Sequence, residues 1–343
     1  MASPILLAVP NVSEGRDLRT IAAIAEAFAG GEGANGSGGD TAEPHDGAPG
    51  GEPDGGLSGG VRLLDVHSDE DHHRSVFTLA GRQGELAHAL LRGVGVAVER
   101  VDVMSGRAQG EAGVEQTDGL EVGQHPHVGA VDVVPVVYVE ARARGAACAE
   151  ALVVADRIGA ELGVPVFLYG ELSGGEGGAT RTRAELRRGG VAGLAARMAA
   201  QDAASAARPD FGPSAMHPSA GATLVAAREP LVAFNLQLAA PATVSDARGI
   251  AALIREGGAE GLPGVRAIGV RLAEGRAQVS MNLERPLEVP VSSVIEAVRR
   301  HAAVVRGELV GLAPRAALED FPEDVLLPGF DPARHVIENA LGS

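Results

Sequence analysis

Two stretches of this chain run through the same order of apolar patterns, and that internal repeat constrains the fold more than any single motif. Ile5 to Val9 is an apolar, strand-like run ending in Pro10-Asn11, and Leu231 to Leu238 is a second, with Asn235 near its middle. Each is followed by apolar residues at helical spacing: Leu18, Ile21, Ile24 and Phe28 in the first half, Ile250, Leu253 and Ile254 in the second. Two strand-like runs come next, Val61 to Val66 with Arg74 to Ala80, and Val265 to Leu272 with Ala277 to Leu283, the latter pair joined by Glu274-Gly275. A further helix is expected in both halves, Glu85 to Val101 and Val291 to Arg306, the second opened by a Ser293 to Glu296 capping box. Val131 to Val139 and Leu309 to Leu312 close the two units as strands. The order β-α-β-β-α-β is the split-βαβ, ferredoxin-like pattern. Two such units in tandem predict an α/β (α+β) fold of two open sheets that face each other across a ligand-binding cleft.

Two polar segments interrupt the pattern. Ala29 to Gly60 is half Gly or Pro, carries six acids and has one large apolar residue, Leu57, so it cannot bury a core and reads as a disordered insertion. Gly106 to Gly123, rich in Glu, Gln and Gly, reads as a second insertion, a tolerated loop or a lid. Between the repeats, Ala146 to Leu162 and Ala184 to Met198 read as helices and Val164 to Tyr169 as a short buried strand. A stiff, irregular loop runs from Arg208 to Gly221.

At 343 residues and 45% hydrophobic, the chain has enough apolar material for real cores. There is no lysine; all 29 positive charges are arginine, against 45 acidic residues, and the net charge of -16 opposes nucleic acid. No run approaches the roughly twenty apolar residues of a membrane span and no signal region opens the chain, so a cytoplasmic location is expected. Cys148, the single cysteine, reads as core filler.

The chemistry points to Gln124-His125-Pro126-His127-Val128-Gly129, which sits just before the valine-rich run from Val131. Such a run suits a strand covered on both faces, so these polar residues fall at a strand mouth. Pro126 confines the backbone of His125 to extended conformations and holds its imidazole in place, which makes His125 the leading catalytic candidate. The alternative is a surface turn with two solvated histidines.

The chain resembles the formiminotransferase domain family, found in glutamate formimidoyltransferases and in the front part of formiminotransferase-cyclodeaminases. The resemblance rests on Val9-Pro10-Asn11-Val12-Ser13-Glu14-Gly15, Leu64-Asp65-Val66, Arg74-Ser75-Val76, and His125-Pro126 with Gly129-Ala130 and Asp132. It continues through Val166 to Glu171, Pro209 to Pro213, Gly221-Ala222-Thr223, Ala227-Arg228, Ala233-Phe234-Asn235 and Leu309 to Leu312. It implies a folate-dependent enzyme of histidine degradation and one-carbon metabolism that transfers a formimidoyl group between 5-formimidoyltetrahydrofolate and L-glutamate. The implied architecture is an N-terminal subdomain over 1–230, a C-terminal subdomain over 231–343, and a ligand tunnel between facing sheets. The catalytic histidine falls on His125. The folate-binding loop falls on Gly212, Pro213, Ser214, Ala215, Met216, His217, Pro218, Ser219, Ala220 and Gly221. Tetrahydrofolate is then a co-substrate, no metal is expected, and the tandem arrangement suits a homodimer. The chain departs from the family pattern at Gln124 and His127, which replace a glutamate and an arginine, at His67, which replaces an acid, and at Gln237, which replaces an asparagine.

For that reaction Asp65 is placed to orient the imidazole or bind the amine, the alternative being a strand-end turn residue. Arg74 and Arg228 are chosen for carboxylate recognition of glutamate or the folate tail, a solvated edge residue being the alternative for each, and Asn11 and Asn235 for the pterin edge. Strand-end capping is the alternative for the asparagines. Three rival functions remain open: a diverged folate binder with little activity, transfer to another amine, and a metal-binding protein or metal-dependent hydrolase using His67, Asp69, Asp71, His72, His73, His125 and His127.

Overall fold

The computed structural model describes residues 3–30, 60–105, 126–174, 180–202 and 206–342. The two polar insertions fall almost wholly outside the described residues, and Gln124 and His125 fall outside them too. In chain order the first half contains β1 (Ile5–Ala8), β2 (Asn11–Val12), α1 (Leu18–Ala29), β3 (Arg62–Asp69), β4 (Arg74–Arg82), α2 (Leu86–Arg100) and β5 (Val131–Val137). There follow α3 (Arg144–Glu161), β6 (Val166–Leu168), α4 (Arg183–Leu186), α5 (Gly190–Ala199) and β7 (Thr223–Arg228). The second half contains β8 (Val232–Leu238), α6 (Val244–Ile254), β9 (Val265–Arg271), β10 (Ala277–Leu283), α7 (Val291–Arg299), β11 (Val304–Val310), α8 (Pro332–His335) and α9 (Ile337–Leu341).

The expected mixed α/β class holds, and both repeats close as βαββαβ units. β8, β9, β10 and β11 form an antiparallel sheet in the order β11-β8-β10-β9, the fourth-first-third-second order of a ferredoxin-like unit. In the first half β1 and β2 act as one strand broken at Val9-Pro10, since both pair with β4 on one side and β5 on the other. With β3 on β4 the same order recurs, and β7 and β6 then extend the sheet beyond β5 in parallel.

Periodicity explains which faces are covered. Asp17 caps α1 by accepting the Arg19 N–H, and the helix buries Thr20, Ile21, Ile24 and Phe28 on one stripe. Each large apolar side chain so buried contributes about 1.5–3 kcal/mol. This stripe, α2 and α3 form the main core on one face of the larger sheet. α5 packs on the other face against Phe167, Leu224 and Ala226 of β6 and β7. α6 and α7 cover one face of the smaller sheet through Phe234, Leu236, Val279 and Met281. Cys148 is half-buried against the main core.

Four local expectations are corrected. The helix begun at Val291 ends at Arg299, and Val304 to Arg306 instead open β11, whose β-branched start favours the strand. The capping box Ser293 to Glu296 does not form, because the helix starts earlier, with Pro290 as its N-cap and no side-chain cap bond. The helix expected over Ala184 to Met198 is two helices, separated at Gly189 and Gly190, both at positive φ where glycine alone sits easily. Finally, β7 stands where sequence reading places no element; its buried run follows directly on the Pro/Gly loop.

Candidate functional site

In the smaller sheet, strand alternation sends Phe234, Leu236 and Leu238 toward α6 and α7 and turns Asn235 and Gln237 the other way. β10 does the same with Gln278 and Ser280, and in β11 Glu308 stands opposite Asn235. Asn235, Gln237, Gln278 and Ser280 are all buried, and a buried polar side chain is costly unless it meets a partner or ligand. The polar face meets the larger sheet's half at three points. Nε2 of His67 lies 3.2 Å from Oε1 of Glu308, skewed from hydrogen-bond geometry, and Nε2 of Gln278 lies 3.2 Å from Nε2 of His72. The Ala273 N–H donates to Oδ1 of Asp71 at 3.3 Å. A cavity of about 470 Å3 lies between the end of β3 and this polar face, lined by His67, Asp69, Asn235, Arg276, Arg306 and Glu308 among others. Burial alone would raise the Glu308 carboxyl, but the contacts with His67 and Asn235 outweigh it and hold the group down at about 2.

The mouth of β5 is clamped from both sides. The Ser13 hydroxyl donates to Gly129 O at 2.8 Å, the Ala130 N–H to Ala220 O at 2.9 Å, and the Ala222 N–H to Val128 O at 3.0 Å. Glycine is required at 129, since a Cβ there would stand 1.8 Å from Ala222 O. Asp132 is 5% exposed: its Oδ1 accepts the Val128 N–H at 2.9 Å and its Oδ2 pairs with the Arg187 guanidinium. Arg74 lies within the same electrostatic neighbourhood. Burial first, and then Arg187, lower its guanidinium to about 10, with Asp69, Asp132 and Glu308 pulling the other way. Burial also lowers His73, against the pull of Glu14; its Nδ1 accepts the Gly15 N–H at 3.2 Å.

The residues named from the sequence fall in distinct surroundings. His125 lies outside the described residues, one position before Pro126 at the clamped mouth. Gly212 to Gly221 loops back on that mouth: Gly221 bridges both Gly129 and His217, and His217 Nδ1 accepts the Ala220 N–H at 3.0 Å. In this loop Gly212, Pro213, Ser214, Ala215 and Pro218 are exposed, Met216, His217 and Ser219 are half-buried, and Ala220 and Gly221 are buried. Asn11 turns its amide onto Val9 O at 3.0 Å, whereas Asn235 donates to Oε2 of Glu308 at 2.8 Å inside the cavity. Asp65, buried, faces Arg334 at 4.0 Å and His335 at 3.9 Å, so its neighbours come from α8. Arg228 is also lowered to about 10 by burial, with Tyr169, Arg183 and Glu284 as its neighbours, a different setting from that of Arg74.

Sequence reasoning gave no role to Glu308, Gln278, Arg276, Arg306 or the pair Asp132 and Arg187. The alternation Ala277, Val279, Met281 against Gln278, Ser280 was the available signal for a polar inner face. Among the described residues no group of three or more His, Cys, Asp or Glu side chains is arranged to hold a metal ion. His67, His72 and His73 instead contact Glu308, Gln278 and Gly15. No helix among the described residues is long and apolar enough to cross a membrane.

Residues 5–228 match the family model of the formiminotransferase domain, N-terminal subdomain, and residues 233–323 match that of the formiminotransferase domain. The chain is 36% identical over 293 residues to a glutamate formimidoyltransferase of Streptococcus pyogenes, covering 82% of this chain and 89% of that protein. It is 30% identical over 330 residues to a glutamate formimidoyltransferase of Thermoplasma acidophilum, covering 94% and 93%. A formimidoyltransferase-cyclodeaminase of Sus scrofa is 33% identical over 331 residues, covering 93% of this chain but 52% of that longer protein. The chain belongs to the formiminotransferase family.

Proposed function

We propose that this protein is a folate-dependent glutamate formimidoyltransferase, moving a formimidoyl group between 5-formimidoyltetrahydrofolate and L-glutamate. The observation that carries the reading is the buried polar face between the two sheets, on a chain that follows glutamate formimidoyltransferases through both halves. Such a face suits a polar ligand better than plain packing does.

His125 is the proton-transfer group. The attacking amine must lose a proton and the pterin N5 must gain one as the carbon–nitrogen bond breaks, and an imidazole titrating near neutrality serves both steps. Gly212 to Gly221 binds the folate, with its exposed Pro213, Ser214 and Ala215 available to the ligand. Arg74 suits a carboxylate, since it is half-buried beside a second arginine. Reduced folate and L-glutamate are the small-molecule partners, the setting is cytoplasmic, and the arrangement suits a homodimer.

The test is to incubate the purified protein with 5-formimidoyltetrahydrofolate, with and without L-glutamate, and follow the formimidoyl-folate signal. Glutamate-dependent loss of that signal is expected. Folate binding without turnover, or turnover indifferent to glutamate, contradicts the reading.

A further inference from the structure

The 470 Å3 cavity carries both signs of charge, in a pattern that matches one kind of ligand. We propose that it is the acceptor amino-acid site, in which Glu308 binds the α-ammonium, His67 takes its proton, and Arg276 and Arg306 meet the two carboxylates. The proposal rests on the transferase reading above and assigns its acceptor half to specific side chains.

Glu308 suits an ammonium. One oxygen is held by Asn235 at 2.8 Å, the other faces His67 at 3.2 Å, and the side chain stays 37% exposed, so lone pairs remain available. Its contacts keep it an anion throughout the neutral range. Nε2 of His67 stands 3.2 Å from the same carboxylate, so an imidazole is within reach of an ammonium bound there.

Of the other acids that line the cavity, Asp69, Glu70 and Asp71, two are hydrogen-bonded to backbone N–H groups. Asp69 accepts the His72 N–H at 2.9 Å and Asp71 the Ala273 N–H at 3.3 Å. Facing the Glu308 and His67 pair are Asp69, Glu70, Asp71 and His72 from the β3 end, Arg276 just before β10, Arg306 from β11 and His335 from α8. Arg276 is steadied by Gln237 Oε1 at 3.4 Å, while Arg306 is exposed. Glu308, with carboxylate lone pairs open, and the two arginines complement an amino acid that bears a second carboxylate.

The proton steps balance with two groups. The ammonium gives one proton to the His67 imidazole, and the freed lone pair forms a bond to the carbon of the cationic formimidoyl group as the C=N π pair moves onto the imino nitrogen. His125 then moves the second proton from the attacking nitrogen to N5. The N5–carbon bond breaks with its electron pair on N5 as a lone pair of the imino nitrogen re-forms the C=N bond, leaving tetrahydrofolate and an amidinium on the acceptor.

Calorimetric binding of L-glutamate and of glutarate, which lacks the amine, tests this apart from turnover. Wild type should prefer L-glutamate by about 10- to 100-fold, the range of a charge-assisted hydrogen bond. Glu308→Gln should erase the preference, and His67→Asp combined with Glu308→Gln should restore part of it by returning a carboxylate to the pair. Arg306→Gln, at an exposed position, should weaken both ligands alike and keep the preference. A wild type without preference, a Glu308→Gln protein that retains it, or an Arg306→Gln protein that binds both ligands unchanged overturns the proposal. Preference without formimidoyl turnover would instead refute the transferase reading and leave the amino-acid site standing.

Discussion

Asp132 and Arg187 form a buried ion pair that ties the mouth of β5 to the residue following α4, and the same carboxylate accepts the Val128 N–H. One side chain thus fixes the backbone just after His125-Pro126 and holds a guanidinium beside Arg74.

Removing that carboxylate leaves two neighbouring arginines under-compensated. Asp132→Asn should cost about 3–5 kcal/mol, the loss typical when one partner of a buried pair is removed. Asp132→Asn with Arg187→Met should cost less, because no orphan charge remains. Urea unfolding of the three proteins measures this, and equal losses in the single and double variants would refute it.

Gly129 is a position of close approach. Gly129→Ala would press a Cβ against Ala222 O and Ala220 O, so the two backbones must part. A loss of about 1–3 kcal/mol in thermal or urea unfolding is expected, the usual cost of overpacking. Turnover should fall as well, since the displaced segment carries the approach to His125. An unchanged melting temperature would mean that the mouth yields freely.

Glu308 gives stability a pH dependence of definite sign. Its folded pKa, about 2, lies below the unfolded value near 4.5, so its contribution is fully present above about pH 4.5 and is lost as pH falls toward 2. Wild type should therefore exceed Glu308→Gln in melting temperature near neutrality, and the gap should shrink as pH falls through that window. A gap that stays constant down to pH 3 would show that the charge of Glu308 contributes nothing to the fold.

The repeat was legible because both of its periods are strong. Ile21, Ile24 and Phe28 mark a helix, and the alternation of Phe234, Leu236 and Leu238 with Asn235 and Gln237 marks a half-polar strand. β7 was not legible, since Thr223 to Ala227 are all buried and show no alternation. The break between α4 and α5 lay in plain sight as Gly189-Gly190, but helical spacing on both sides masked it. The site was half legible. Asn235 lies in the cavity, while Asn11 bonds its own turn and Asp65 faces α8. Glu308 could not be paired with His67 from sequence, because only the packing of one sheet on the other brings them together.

The most direct measurement compares wild type with His125→Ala in glutamate-dependent loss of 5-formimidoyltetrahydrofolate, with folate binding and melting temperature recorded for both. A fall in kcat of about 100- to 10,000-fold is expected, with folate affinity and stability nearly unchanged. Wild-type turnover in the His125→Ala protein would contradict it and remove His125 from the reaction.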